Sequence, residues 1–219
     1  LMTVPAVSAI NETSSGTITT TETWSGTHTV TDDVVVAEGA KLVINAGTTV
    51  NLAAGASIEV EGAICAGSAS CGASQASASS PVRLNWGAPA DISVTGECSD
   101  ANNNLLNNPD AACGSGVMVR NTINQASTGL SHVKFDKAYG TPVYVASLQV
   151  VKYAALVFDG SSVNADNLGF TDINTTNVIA IDLAAPTILD STFTLGVDGQ
   201  GYNGPGFEAF SAGAGILSK

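Results

Sequence analysis

The sequence predicts an all-β solenoid with three short strands to a turn and about 23–24 residues in each turn. Two observations carry that expectation. In "DVVVAEGAKLVINAGTTVNLAAGASIEVEG", Asp33 to Gly62, pairs of aliphatic residues two apart recur every eight positions, and each pair is followed by a glycine. In the C-terminal half, "SHVKFDKA", "AALVFDGS" and "VIAIDLAA" superimpose at a shift of 23.

The first half defines the sides of the coil. Val34 and Val36 precede Gly39, Leu42 and Ile44 precede Gly47, Val50 and Leu52 precede Gly55, and Ile58 and Val60 precede Gly62. Apolar residues at spacing two belong to a strand with one buried face and exclude an amphipathic helix, while glycine tolerates the positive φ or close backbone approach of a corner. Three sides of eight residues make a turn of about 24, a regularity that a hairpin meander does not require. The second half supplies columns at the same interval: Val133, Leu156 and Ile179; Phe135, Phe158 and Ile181; Asp136, Asp159 and Asp182. Phe170 stands above Phe193 in the same way. All of these aliphatic and aromatic side chains are expected to point inward, with every strand paired in parallel to the coils above and below.

From "TWSGTHTVTDDVVVAEGAKLVINAGTTV" onward the chain resembles the N-terminal coils of secreted right-handed parallel β-helix proteins, the pectin-lyase-like architecture, in its surface and adhesin members. The resemblance implies a right-handed, three-sided parallel β-helix over nearly the whole chain after about residue 17. It implies an architecture rather than an activity, because such helices host lyases, hydrolases, adhesins, phage spikes and surface-layer parts.

With 219 residues, 44% of them hydrophobic, the chain suits one β-helix domain at 10–219 of roughly nine coils, with loops leaving the coil at about 63–81 and 96–116. Lys and Arg number 7 against 19 Asp and Glu, for a net charge of -12. Neither nucleic acid nor an anionic membrane would be attracted to such a surface, and an acidic polysaccharide would be repelled unless a cation bridged it. Residues 1–9, "LMTVPAVSA", read either as the tail of a secretory signal or as an ordered N-terminal arm. No stretch approaches the roughly 18–20 apolar residues of a membrane span, so direct membrane insertion is not expected.

Four cysteines agree with a secreted, extracellular or cell-surface location. Sequential pairing, Cys65 with Cys71 and Cys98 with Cys113, is the simplest of the three connectivities and would staple two loops. Zinc is the alternative, but neither pair has the usual C-x₂₋₄-C spacing, and His28 and His132 lie far away in sequence. No cofactor is expected beyond structural calcium. The most specific polar feature is the column Asp136, Asp159, Asp182: it reads as strand-ending Asp residues that accept turn N–H groups, or as a ladder of carboxylates bridged by calcium. The insertion "SDANNNLLNNPDAA" lacks the ligand order of a calcium hand.

Catalytic constellations are sparse. There is no G-x-S-x-G, and both histidines sit in strand-like runs, where they are expected to face outward. Asp32 and Asp33 are adjacent, so they point to opposite faces and cannot flank one glycosidic bond. The G-H-G and R-I-K runs that accompany the carboxylates of polygalacturonase-like β-helices are missing, and Arg83 and Arg120, the two arginines, stand apart from acidic clusters. The Thr-rich run "GTITTTETWSGTHTVT" raises ice binding, but later coils do not continue a threonine column. Asn11 and Asn174 stand in glycosylation sequons. The reading is a structural or adhesive extracellular surface protein without catalytic chemistry, with a cell-surface glycan and further copies of itself as partners. Its apolar ends would allow head-to-tail stacking into filaments or arrays. The alternative is a carbohydrate-active β-helix, either a polysaccharide lyase or glycoside hydrolase, or a glycan-binding relative of one.

Overall fold

The computed structural model describes residues 11–87, 116–120, 127–138, 140–145, 147–173, 176–193, 207–210 and 216–217. The chain enters on β1 (Asn11–Ile18) and β2 (Thr21–Trp24), then continues through β3 (Thr27–Val36), β4 (Lys41–Ile44), β5 (Thr49–Leu52), β6 (Ile58–Val60) and β7 (Ala63–Ala66). After an excursion come β8 (Val82–Trp86), β9 (Val117–Arg120), β10 (Gly129–Ser131), β11 (Val133–Asp136) and β12 (Thr141–Val145). The C-terminal coils hold β13 (Val150–Asp159), β14 (Asn164–Asp166), β15 (Gly169–Thr171), β16 (Thr176–Ile181), β17 (Thr187–Leu189), β18 (Phe207–Phe210) and β19 (Ile216–Leu217).

These strands form a three-sided parallel β-solenoid. The N-terminal half of β3 pairs with β5, and its C-terminal half pairs with β6, so one long strand bends across two sides. Face A runs β3, β5, β8, β11, β15; face B runs β3, β6, β9, β13, β16, β18. Face C is the separate seven-stranded sheet β2, β4, β7, β10, β14, β17, β19, one strand to each coil. Seven coils rather than nine are thus present among the described residues, because excursions between faces consume chain that a uniform period would assign to strands.

Local chemistry explains the corners. Gly39, Gly47 and Gly55 all have positive φ, as the repeat requires. Gly62 serves differently: a Cβ there would collide with the carbonyl oxygens of Ala37 and Ala40, so the turn closes only on a bare backbone. Where β3 bends, the Asp33 carboxylate accepts hydrogen bonds from the backbone N–H and hydroxyl of Ser57 in the next coil, at 2.8 and 2.7 Å. In later coils most corners rest on left-handed residues that are not glycine: His132, Asn167 and Asp190 after face C strands, Lys137 and Asp172 after face A strands, and the pair Asp182 and Leu183 after β16, while Gly160 serves after β13.

One apolar core runs down the inside of the coils. Val34 and Val36 sit opposite Ile58 and Val60, the 24-residue step read from sequence. Leu42 and Ile44 sit opposite Ile64 and Ala66, and Val50 and Leu52 opposite Leu84 and Trp86. Each fully buried aliphatic side chain is worth about 1.5–3 kcal/mol of transfer free energy. On the inside of face A the rings of Trp86, Phe135, Phe170 and Phe193 form a continuous stack, with successive centroids 6.4, 4.9 and 5.5 Å apart. The stacking of Phe170 on Phe193 follows the sequence repeat.

The other C-terminal columns are corrected. Phe135 lies on face A opposite Leu84 and Phe170, whereas Phe158 lies on face B, so "SHVKFD" and "AALVFD" are not stacked. Between β13 and β16 the register step is 22, not 23: Leu156 faces Val178 and Phe158 faces Ala180. A one-residue slip moves every side chain to the opposite face. Ile179 and Ile181 are buried as expected, but on the outside of face B, in a second cluster with Met118, Val143, Val145, Ala154 and Val157. That cluster exists because β12 folds back antiparallel on the first half of β13 and covers the outer surface, an exception to the expected all-parallel pairing.

Candidate functional site

The side chains that face outward on face A form two parallel columns, fixed by the register of the strands. One runs Thr27, Thr49, Arg83, Lys134, Gly169; the other runs Thr29, Asn51, Asn85, Asp136, Thr171. Thr13 of β1 extends the second column by one rung. Rungs repeat at about 4.8 Å along the axis, and the two columns stand about 6.6 Å apart, two residues along a strand. Face A therefore presents hydroxyl, amide, carboxylate and cationic groups on a fixed lattice, while its rings point into the core. The threonine columns end at Arg83 and Asn51, which removes the uninterrupted flat face that ice binding requires.

The C-terminal half of this face is hollowed. Arg83, Asn85, Lys134, Asp136, Thr171 and Thr192 border a depression of about 410 Å³. The rung after Lys134 is Gly169, and a Cβ at that position would lie 2.5 Å from the Lys134 Nζ and 2.7 Å from its Cδ. The lysine side chain thus lies across a place that only glycine leaves open.

A second polar group stands inside the first coil. His28, expected to face outward, is instead buried at 1% exposure, because its position on β3 shares the inward column of Val50. Its ring stacks on Trp24 at 4.1 Å, its Nε2 is 2.8 Å from Ser14 Oγ, and its Nδ1 is 3.8 Å from Glu12 Oε2. Glu22 Oε1 accepts the Trp24 indole N–H at 2.6 Å and the Ser14 hydroxyl at 3.2 Å. This has the order of a nucleophile, a base and an orienting carboxylate, but Glu22 competes for the serine proton. The group acts as the polar end of the core.

Burial pushes His28 below its ordinary imidazole range, opposed by the carboxylates of Glu12 and Glu22. A depressed folded value gives a stability contribution that is present above the unfolded value, near 6.5, and is lost as pH falls through the folded value. Thermal melts from pH 7.5 to 5 should show this loss, and His28→Phe, which keeps the ring on Trp24, should flatten it. An unchanged slope would assign the acid sensitivity to other groups.

The remaining sequence candidates disperse. Asp136 pairs in register with Asn85 and Thr171 on face A, Asp159 pairs with Arg120 and Ile181 on face B, and Asp182 lies at the following corner. The three carboxylates therefore do not stack as one ladder, since the 23-residue column joined two different faces. Asp159 alone meets Asp182; burial first, then the Asp182 charge and hydrogen bond, raise its pKa, partly offset by Arg120. Arg120 spans the coils, 2.8 Å from Glu59 and 3.8 Å from Asp159. Among the described residues no group of three His, Cys, Asp or Glu could hold a metal ion.

Cys65 and Cys71 form a disulfide that pins the turn after β7, and Lys41 Nζ donates to the Cys71 carbonyl. Cys98, Cys113, Asn174 and residues 1–9 lie outside the described residues; Asn11 begins β1. No described helix is long and apolar enough to cross a membrane. Compared with protein-family models, curated proteins and solved structures, the chain gives no match.

Proposed function

We propose that the chain is an extracellular structural or adhesive surface protein whose contact surface is face A and whose partner is a cell-surface glycan. The observation that carries this reading is the pair of outward columns, which place Thr, Asn and Asp side chains in register from coil to coil. Sugar hydroxyls both donate and accept hydrogen bonds, and a polymer that meets several evenly spaced polar rungs gains by multivalency what each exposed bond lacks. The Cys65–Cys71 disulfide supports an oxidising location.

Contact through a face is favoured over stacking through the N-terminal end. In the first described coil the inward positions carry Glu12, Ser14 and Glu22 over His28, and inward-pointing charged groups are one device that disfavours edge-to-edge pairing. A further coil on that end would desolvate two carboxylates.

The reading is tested by co-sedimentation with insoluble polysaccharides, comparing the native chain with Asn51→Ala/Asn85→Ala. The variant should bind at least about tenfold more weakly with its melting temperature unchanged, the loss of two hydrogen bonds of about 1 kcal/mol each. Equal binding by both proteins would remove face A as the contact surface.

A further inference from the structure

Arg83 and Lys134 occupy adjacent rungs of one outward column, and like charges placed directly opposite destabilise a sheet. The chain has 7 basic residues against 19 acidic ones, so a basic side chain has no shortage of carboxylates to pair with. Arg120 does so with Glu59, and Lys152 with Glu208. Arg83 and Lys134 do not: among the described residues neither has a carboxylate within 4.0 Å. Two of the few cations are thus set side by side without an ion-pair partner within 4.0 Å.

Gly169 shapes the arrangement. Because the next rung has no side chain, Lys134 lies over it, which draws its ammonium away from Arg83 and relieves part of the repulsion. The two cations then border one hollow, with Asn85, Asp136 and Thr171 along the neighbouring column. A guanidinium presents a planar fork of donors and an ammonium a compact charge, a combination suited to an oxyanion. About 6.6 Å across the face stand an amide, a carboxylate and a hydroxyl that suit sugar hydroxyls.

We propose that Arg83 and Lys134 form an oxyanion site that reads an acidic substituent on the glycan bound by face A. The anionic group sits on the cation column, and the hydroxyls of the same sugar sit on Asn85, Asp136 and Thr171. This rests on the face A reading and adds to it the chemical class of the ligand. It also revises the expectation from net charge: a chain of -12 repels a polyanion at long range, but fixed cations in one hollow supply the bridge locally.

The test is calorimetric titration at constant ionic strength with four probes: a sulfated oligosaccharide, its desulfated counterpart, a uronate oligosaccharide and inorganic sulfate. Arg83→Gln and Lys134→Gln are exposed or half-exposed changes that leave the core intact. The native chain should bind at least one acidic oligosaccharide about tenfold or more tightly than the desulfated probe, and in each variant the two affinities should converge, so that the preference is lost. Preference for sulfate over uronate, or the reverse, identifies the anion's source, and inorganic sulfate should bind weakly because it lacks the hydroxyls. If the variants keep the native preference, or if the desulfated probe binds equally well, the oxyanion site is refuted while face A stands. If no oligosaccharide binds, both readings fall.

Discussion

Phe170→Ala is expected to cost about 3–5 kcal/mol, the range for truncating a buried aromatic ring. Phe170 is buried in the middle of the face A stack, with Phe135 at 4.9 Å on one side and Phe193 at 5.5 Å on the other. Parallel stacking fixes strand spacing along the axis, so neighbouring coils cannot close the cavity without breaking their own ladder bonds. Chemical denaturation should show a lower midpoint. Tyr144→Ala, on the exposed side of β12, should fall within about 0.5 kcal/mol of the native chain. A loss below about 1 kcal/mol for Phe170→Ala would mean that the stack does not hold the C-terminal coils together.

Ala180→Asp should be comparably severe, and it tests the register of face B. Ala180 faces Phe158 inside the main core, so an aspartate there buries a carboxylate with no partner, at a cost of several kcal/mol. Under the 23-residue spacing read from sequence, position 180 would instead face outward. Leu183→Asp provides the control: Leu183 lies at the next corner, 76% exposed, and its replacement should leave the melting temperature within a degree or two. Retained stability in Ala180→Asp would restore the sequence register.

The N-terminal coils were legible because most corners between Asp33 and Gly62 carry a glycine and each strand there a clean pair of aliphatics. The C-terminal coils were legible as solenoid but not as columns. "SHVKFDKA" and "AALVFDGS" resemble one another because both end a strand with an inward Phe and an outward Asp, a demand that any face imposes. The β12 excursion then shifts the chain from face A to face B over a span that happens to match one turn. Corners made by His132, Asn167, Asp172 and Asp182 carry no glycine to mark them, which hides the 22-residue step.

His28 was misplaced because "GTHTV" alternates equally well with either set inside, and the terminal coil can place polar groups inward where a middle coil cannot. The candidate site was hidden for a different reason. Arg83, Lys134 and Gly169 are separated in sequence by excursions of unequal length, and only the register brings them onto one column.

The glycan is proposed to lie along face A. Backbone amide chemical shifts, followed by NMR as a bound oligosaccharide is titrated in, test it most directly. The claim predicts perturbations along β5, β8, β11 and β15, strongest at Asn85, Lys134 and Thr171, with face C and the β12–β13 hairpin unchanged. Perturbations centred on face C, on the hairpin or on the first coil would contradict it.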